Sequence, residues 1–186
     1  MSGADFLKEA EEKMEKSFDA MCQDFATMRV GRANPAILDK VTVDYYGVET
    51  PLSQTATISA PEPRLLTVQP WDRSIIGAIE KAIQKADLGL NPANDGTIIR
   101  IPIPQLTEER RKELVKAAHK RAEEAKVAFR NIRRDDNDKI KAAEKKSELT
   151  EDECKNALDD MQKLTDKYVK KVDETLAKKE KEIMEV

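Results

Sequence analysis

The chain has 186 residues, 37% of them charged and 4% aromatic, with a net charge of −3. That length suits one or two small domains, and such a charged fraction fits long solvent-exposed helices with narrow apolar seams better than one large core. No run is long and apolar enough to span a membrane, residues 1–13 are charged and alternating with no apolar stretch of signal-peptide type, and Cys22 and Cys154, with no cysteine or histidine at metal spacing, suit a reducing cytoplasm.

Residues 2–29 read as a helix. Leu7, Ala10, Met14, Phe18, Met21, Phe25 and Met28 recur at steps of three and four, and glutamate and lysine fill the other face. Gly31 and Pro35 break the pattern. Residues 40–46 alternate and are β-branched or aromatic, so they read as a strand. A turn at Tyr46-Gly47-Val48 and extended chain around 55–59 follow. Residues 64–69 form another expected strand. Asp72 then suits a helix N-cap, with Trp71 and Ile76 placed as a hydrophobic staple for a helix reaching Ala86. Gly89 and Pro92 end it, Asn94-Asp95-Gly96 signals a turn, and residues 97–101 form a last strand.

Thr107 is a good N-cap, with Glu108 and Glu109 favourable to the helix dipole. A long seam runs through Leu114, Ala118, Ala122, Ala125, Phe129 or Ala128, Ile132, Ile140 and Ala143, weakest across Asp136. After a turn near 147–149, Thr150 and Glu153 form a capping box and Leu149 and Cys154 a staple. Leu158, Met161, Thr165, Tyr168, Val172, Leu176 and Ile183 continue a third seam.

Proline and glycine divide the chain. All eight prolines and five of the six glycines lie between Gly31 and Pro104, whereas Thr107–Lys146 has neither. The expected class is therefore α+β. Residues 1–30 and 105–186 form a long antiparallel three-helix bundle, because no narrow seam is stable alone. Residues 31–104 form an inserted small β/α/β domain. Seams consumed within the bundle favour a monomer. The segments 30–35 and 101–105, marked by Pro35, Pro102 and Pro104, cross between the two parts. They read either as a hinge of limited swing or as two ordinary loops.

Charge is uneven. From Arg110 to Lys146 there are 14 lysines and arginines against 7 acids, so the rest of the chain is strongly acidic. Lys126, Arg130, Arg133, Arg134, Asn137 and Lys141 fall at steps of three and four and share one face, expected on the half of the rod away from the insert. Arginine's planar fork matches phosphate, and lysine and asparagine suit the sugar-phosphate backbone. The alternative is a solvated face neutralised by Asp135, Asp136 and Asp138. His119, the only histidine, has no partner set to make it a base. No phosphate-cradling glycine loop exists, so neither catalysis nor a cofactor is expected. Trp71 is expected in the core of the insert.

The motifs MRVGRANP (28–35), VDYYGVETPL (43–52), WDRS (71–74), KADLGLNPANDGTIIRIPIPQLTEERRKEL (85–114) and RNIRRDDNDKIK (130–141) resemble bacterial ribosome recycling factor, in order and over nearly the whole chain. The resemblance implies an L-shaped, transfer-RNA-like molecule and a non-enzymatic factor acting after termination. It would bind the large ribosomal subunit, and elongation factor G with GTP would then drive subunit separation. It further implies that Arg133 is the principal rRNA-binding arginine, supported by Arg130 and Arg29. Gly31 and Arg32 would match the hinge-side motif, with Arg110 and Arg111 near it. The competing reading is a coiled-coil adaptor or holdase that grips protein partners.

Overall fold

The computed structural model describes residues 1–28 and 31–185. Arg29, which the resemblance implies is in the rRNA-binding set, and Val30, which opens the crossing segment 30–35, lie outside the described residues. The chain divides into two compact units. One comprises Met1–Phe25 with Lys112–Val186, the other Ala26–Arg111.

Among the described residues, the first unit is built from helices α1 (Gly3–Thr27), α3 (Glu108–Lys145) and α4 (Glu151–Met184). The 38 residues of α3 make a rod of roughly 57 Å at the helical rise. Their seams meet in one core, where Ala10, Met14, Met21, Phe129, Ile140, Met161, Val172 and Ile183 are fully buried. Small residues let the helices close up, and Gly3 lies against Ala157, where an added Cβ would stand 3.3 Å from the alanine methyl. Because Ala157 is in the second turn of α4, the α3–α4 turn projects beyond the start of α1. Aromatic rings fill the middle. Tyr168 packs on Phe129 and Phe18, and its hydroxyl donates to Glu15 at 2.5 Å. Burial, reinforced by that carboxylate, holds the phenol well above its ordinary pKa.

The capping box forms as expected. Thr150 Oγ1 accepts from the Glu153 N–H at 3.1 Å, and Glu153 accepts from the Thr150 N–H at 3.2 Å. Leu149 and Cys154 are both buried. Three features depart from the sequence reading. Phe6, not Leu7, enters the core, and Leu164 joins it. Lys179 is buried, its ammonium reaching Glu182 at 3.3 Å. The helix also runs unbroken through Asp136, whose side chain is 0% exposed. Neither Asp136 carboxylate oxygen has a hydrogen-bond partner. The nearest cation, Lys139 Nζ, is 3.7 Å away and is itself engaged with Glu9 at 3.1 Å, which also takes Lys13 at 3.2 Å. Burial raises the Asp136 carboxyl, with Glu9 and Asp135 adding to the rise and Lys13 and Lys139 opposing it.

The second unit holds a hairpin of β1 (Thr42–Tyr45) and β2 (Val48–Pro51). Tyr46 and Gly47 both take positive φ at its turn, as a two-residue hairpin with native twist requires. A four-stranded antiparallel sheet has the order β3-β4-β6-β5, from β3 (Ala56–Glu62), β4 (Leu65–Pro70), β5 (Ala93–Asn94) and β6 (Ile99–Pro102). Helix α2 (Ile76–Lys85) packs Ile79 and Ile83 into a core with Leu66, Val68, Ile99 and Ile101. Strands β2 and β5 had no sequence expectation because they are short and largely exposed. Asp72 does cap, accepting from the Ser74 N–H at 2.9 Å, but what it caps is a 3-10 turn (Arg73–Ile75) ahead of α2. Trp71 is 66% exposed and donates its indole N–H to Thr57 Oγ1 at 2.9 Å, so it is neither core nor staple.

Candidate nucleic-acid interface

The six residues singled out on α3 occupy about 100° of helix circumference, beside the buried edge marked by Phe129 and Ile140. Position on that arc decides what each side chain does. Those nearest the core meet α4. Lys126 is half-buried, and its ammonium is engaged by Asp173 at 2.6 Å and Glu123 at 3.5 Å. The hydrogen bond to Asp173 raises its pKa above the ordinary lysine value. Arg133 is also half-buried, and its Nη1 donates to Gln162 Oε1 at 2.8 Å. Gln162 in turn donates through Nε2 to Asp166 Oδ1 at 2.9 Å. Asn137 is half-buried, and its Oδ1 has no hydrogen-bond partner.

The rest of the arc faces solvent. Arg130, Arg134 and Lys141 are exposed, and none forms an ion pair with a described residue. The three aspartates that could neutralise them do not. Asp136 is buried toward α1 and reaches only Lys139, while Asp135 and Asp138 pair with neither arginine. Elsewhere on α3, two cations are tied across the bundle, Arg121 to Asp24 at 2.6 Å and Lys139 to Glu9. His119 meets Glu180 of α4, so the lone histidine is a helix–helix contact.

The sequence signal located the basic face but could not find Gln162, Asp166 and Asp173. These sit on α4, and which of its residues lie opposite Lys126 and Arg133 depends on helix register, which no local pattern encodes. Among the described residues, no group of three or more histidine, cysteine or acidic side chains is placed to hold a metal.

The crossing segments are described within the second unit. Ala33 N–H donates to Pro63 O at 2.7 Å and Ile103 N–H to Arg64 O at 2.8 Å, so both are fastened to the β3–β4 turn. Arg64 also reaches Gln105 at 3.3 Å. Pro35 opens a 3-10 turn (Pro35–Leu38) capped by Asn34, Pro102 ends β6, and Pro104 follows. Arg32 is exposed. Arg110 and Arg111 stand in the first turn of α3, where Thr107 Oγ1 accepts from the Arg110 N–H at 3.1 Å. Arg110 lines a cavity of about 270 Å³ with Gly31, Ile103 and Leu106, and the Arg111 Nε is buried without a partner. Gly31 has φ +75°, and an added Cβ would stand 3.1 Å from Leu106 Cγ. Gly31→Ala is therefore expected to destabilise this unit by about 2 kcal/mol, from backbone strain plus displacement of Leu106. Gly47→Ala has positive φ but open space around it, so it should cost about half as much. Thermal denaturation of the two variants checks the order.

The family model described as ribosome recycling factor matches residues 21–184. The ribosome-recycling factor of Carboxydothermus hydrogenoformans is 60% identical over 182 residues, covering 98% of this chain and 98% of that protein. That of Bacillus cereus (strain AH187) is 61% identical over 184 residues, covering 99% and 100%. A solution structure of the ribosome recycling factor has a TM-score of 0.82 at 44% identity, covering 99% of this chain and 98% of that one. Models for the T. thermophilus ribosome recycling factor and the E. coli elongation factor G bound to the E. coli post-termination complex include a chain with a TM-score of 0.69 at 49% identity, covering both chains fully.

Proposed function

We propose, from the premise that this chain belongs to the ribosome recycling factor family, that it binds the large ribosomal subunit after termination through the exposed cations of α3. Elongation factor G with GTP then separates the subunits. A structural relative described together with elongation factor G on a post-termination complex supports those partners. Membership places the chain among translation factors, and the protein itself makes and breaks no covalent bond. Its work is done in the cytoplasm. Among the described residues no helix is long and apolar enough to cross a membrane.

The observation that carries the interface is the state of the basic face. A cluster meant only for solubility is free to neutralise itself at the surface, and Asp135, Asp136 and Asp138 are the nearest candidates. Arg130 and Arg134 remain unpaired beside them, and Arg133 faces a neutral amide. Unpaired arginines on a stiff helix in an otherwise acidic chain suit rRNA phosphates, which they can grip in forked, charge-assisted contacts. The acidic remainder limits non-specific coating of nucleic acid.

The assigned residues follow from position. Arg133, Arg130 and Arg134 make the principal phosphate contacts, with Lys141 and Asn137 flanking them. Lys126 contributes less because Asp173 already engages it. In the second unit, Gly31 with its neighbours through Pro35, and Pro102 through Arg111, form the pivot region. The hydrogen bonds from Ala33 to Pro63 and from Ile103 to Arg64 support a reading in which both segments travel with the insert. Any swing is taken up at the edges of that region.

Binding to isolated large subunits should weaken steeply and linearly on a log–log plot against salt, since each phosphate contact releases counterions. Affinity that barely changes with salt would reject the phosphate interface and favour a protein-gripping adaptor.

A further inference from the structure

We propose that Gln162 and Asp166 of α4 are positioning residues for Arg133, fixing its guanidinium for the RNA phosphate. The inference rests on the reading of Arg133 as an rRNA contact. Of the arginines on the exposed face, Arg133 alone is held by a hydrogen bond among the described residues. Its Nη1 donates to Gln162 Oε1 at 2.8 Å, and Gln162 Nε2 donates to Asp166 Oδ1 at 2.9 Å.

The order of groups gives the chain its direction. A glutamine amide can turn either its oxygen or its NH2 toward a neighbour. An arginine only donates and an ionised aspartate only accepts. Asp166, one helical turn beyond Gln162, therefore takes the NH2 and leaves the oxygen facing the guanidinium. Turned the other way, the amide would present two donors to a donor. Asp166 sets the amide, and the amide sets the arginine.

The choice of a neutral acceptor matters for function. A carboxylate opposite Arg133 would form a surface ion pair and compete with phosphate, as Asp173 does with Lys126. Glutamine engages one N–H, leaves the guanidinium charge uncancelled, and leaves the remaining donors of the fork free. Long side chains lose rotamer freedom when they bind, and holding the arginine beforehand reduces that loss. The same bond could serve merely to tie α3 to α4, and the experiment separates these roles.

Affinity for isolated large ribosomal subunits would be measured for Gln162→Ala in both the wild-type and Arg133→Ala backgrounds, with melting temperatures alongside. The expected result is about fivefold weaker binding from Gln162→Ala where Arg133 is present, and no further change where it is absent. Asp166→Ala and Asp166→Asn form a charge-matched pair. Both remove the negative charge, which by itself favours RNA, but only asparagine keeps an acceptor for Gln162. Asparagine should bind more tightly than alanine by a few-fold, at equal melting temperature. If Arg133→Ala weakens binding and Gln162→Ala does not, positioning is wrong and the Arg133 contact stands. Equal loss from Gln162→Ala in both backgrounds, or loss that tracks a lowered melting temperature, also overturns positioning. If Arg133→Ala itself binds as wild type, the underlying reading of Arg133 fails.

Discussion

The doubly substituted Arg130→Ala/Arg133→Ala protein should bind isolated large ribosomal subunits at least about 100-fold more weakly than wild type and melt at the same temperature. Each arginine contributes charge-assisted hydrogen bonds of about 1.5–3 kcal/mol, so losing two costs about 3 kcal/mol or more. Neither side chain holds the bundle together. Arg130 is exposed with no ion pair among the described residues, and Arg133 gives up one bond to an exposed amide. The log–log salt slope should also fall by about 1.5, since single-stranded or loop RNA releases about 0.7 counterion per neutralised phosphate. Lys126→Ala is the contrasting variant, because its ammonium is already paired with Asp173 and it should lose far less. Double-mutant binding equal to wild type, with an unchanged slope, would remove α3 from the interface.

The second large effect is on stability and has the opposite sign. Asp136→Leu should stabilise the bundle by about 1–3 kcal/mol at neutral pH, because it removes a fully buried carboxylate that has no hydrogen-bond partner. At about 2–4 °C per kcal/mol for a chain of this size, the gain is measurable in a melting curve. The raised carboxyl pKa sets the pH dependence. The folded protein holds this proton more tightly than the unfolded chain does. Its stabilising contribution is therefore present below the unfolded value and lost as pH rises through the folded one. The advantage of leucine over aspartate should accordingly be greatest at pH 7 and shrink as the pH is lowered toward 4. Asp136→Asn should move in the same direction by less, since its amide is also left without partners. If asparagine instead destabilises at pH 7, Lys13 and Lys139 outweigh the burial of Asp136, and the group is a buried ionic tie.

That aspartate also shows what a sequence can and cannot disclose. Helical periodicity located the seam and marked position 136 as its weakest step, because a charged residue stood where the period called for an apolar one. It could not tell whether the helix would bend, unwind or bury the charge. That depends on Glu9 and Lys13 of α1, more than 100 residues away in sequence. Caps were legible because their chemistry is local, as Thr150 with Glu153 and Thr107 with Arg110 show. Trp71 was misread because sequence shows its size and not the hydroxyl of Thr57, in the neighbouring strand, that fixes its ring at the surface. The basic face was visible as a spacing. Its division into engaged Lys126, bracketed Arg133 and free Arg130, Arg134 and Lys141 depends on which residues of α4 stand opposite, and that is a tertiary fact.

The first unit joins Met1–Phe25 to residues beginning at Lys112, and this interruption has a consequence for how the protein is made. During synthesis α1 leaves the ribosome well before either helix that covers it exists. At about 5–20 residues per second, roughly 10 s separate the completion of α1 from the appearance of α3, and α4 comes later still. Through that interval Phe6, Met14, Met21 and Phe25 form an uncovered apolar stripe. The intervening sheet unit carries its own core and can close first, drawing the ends of a long tether together and reducing the entropy α1 must lose to find its partners. Synthesis order thus makes α1 the helix that waits longest for its partners and the segment most exposed to chaperones and proteases in the nascent chain.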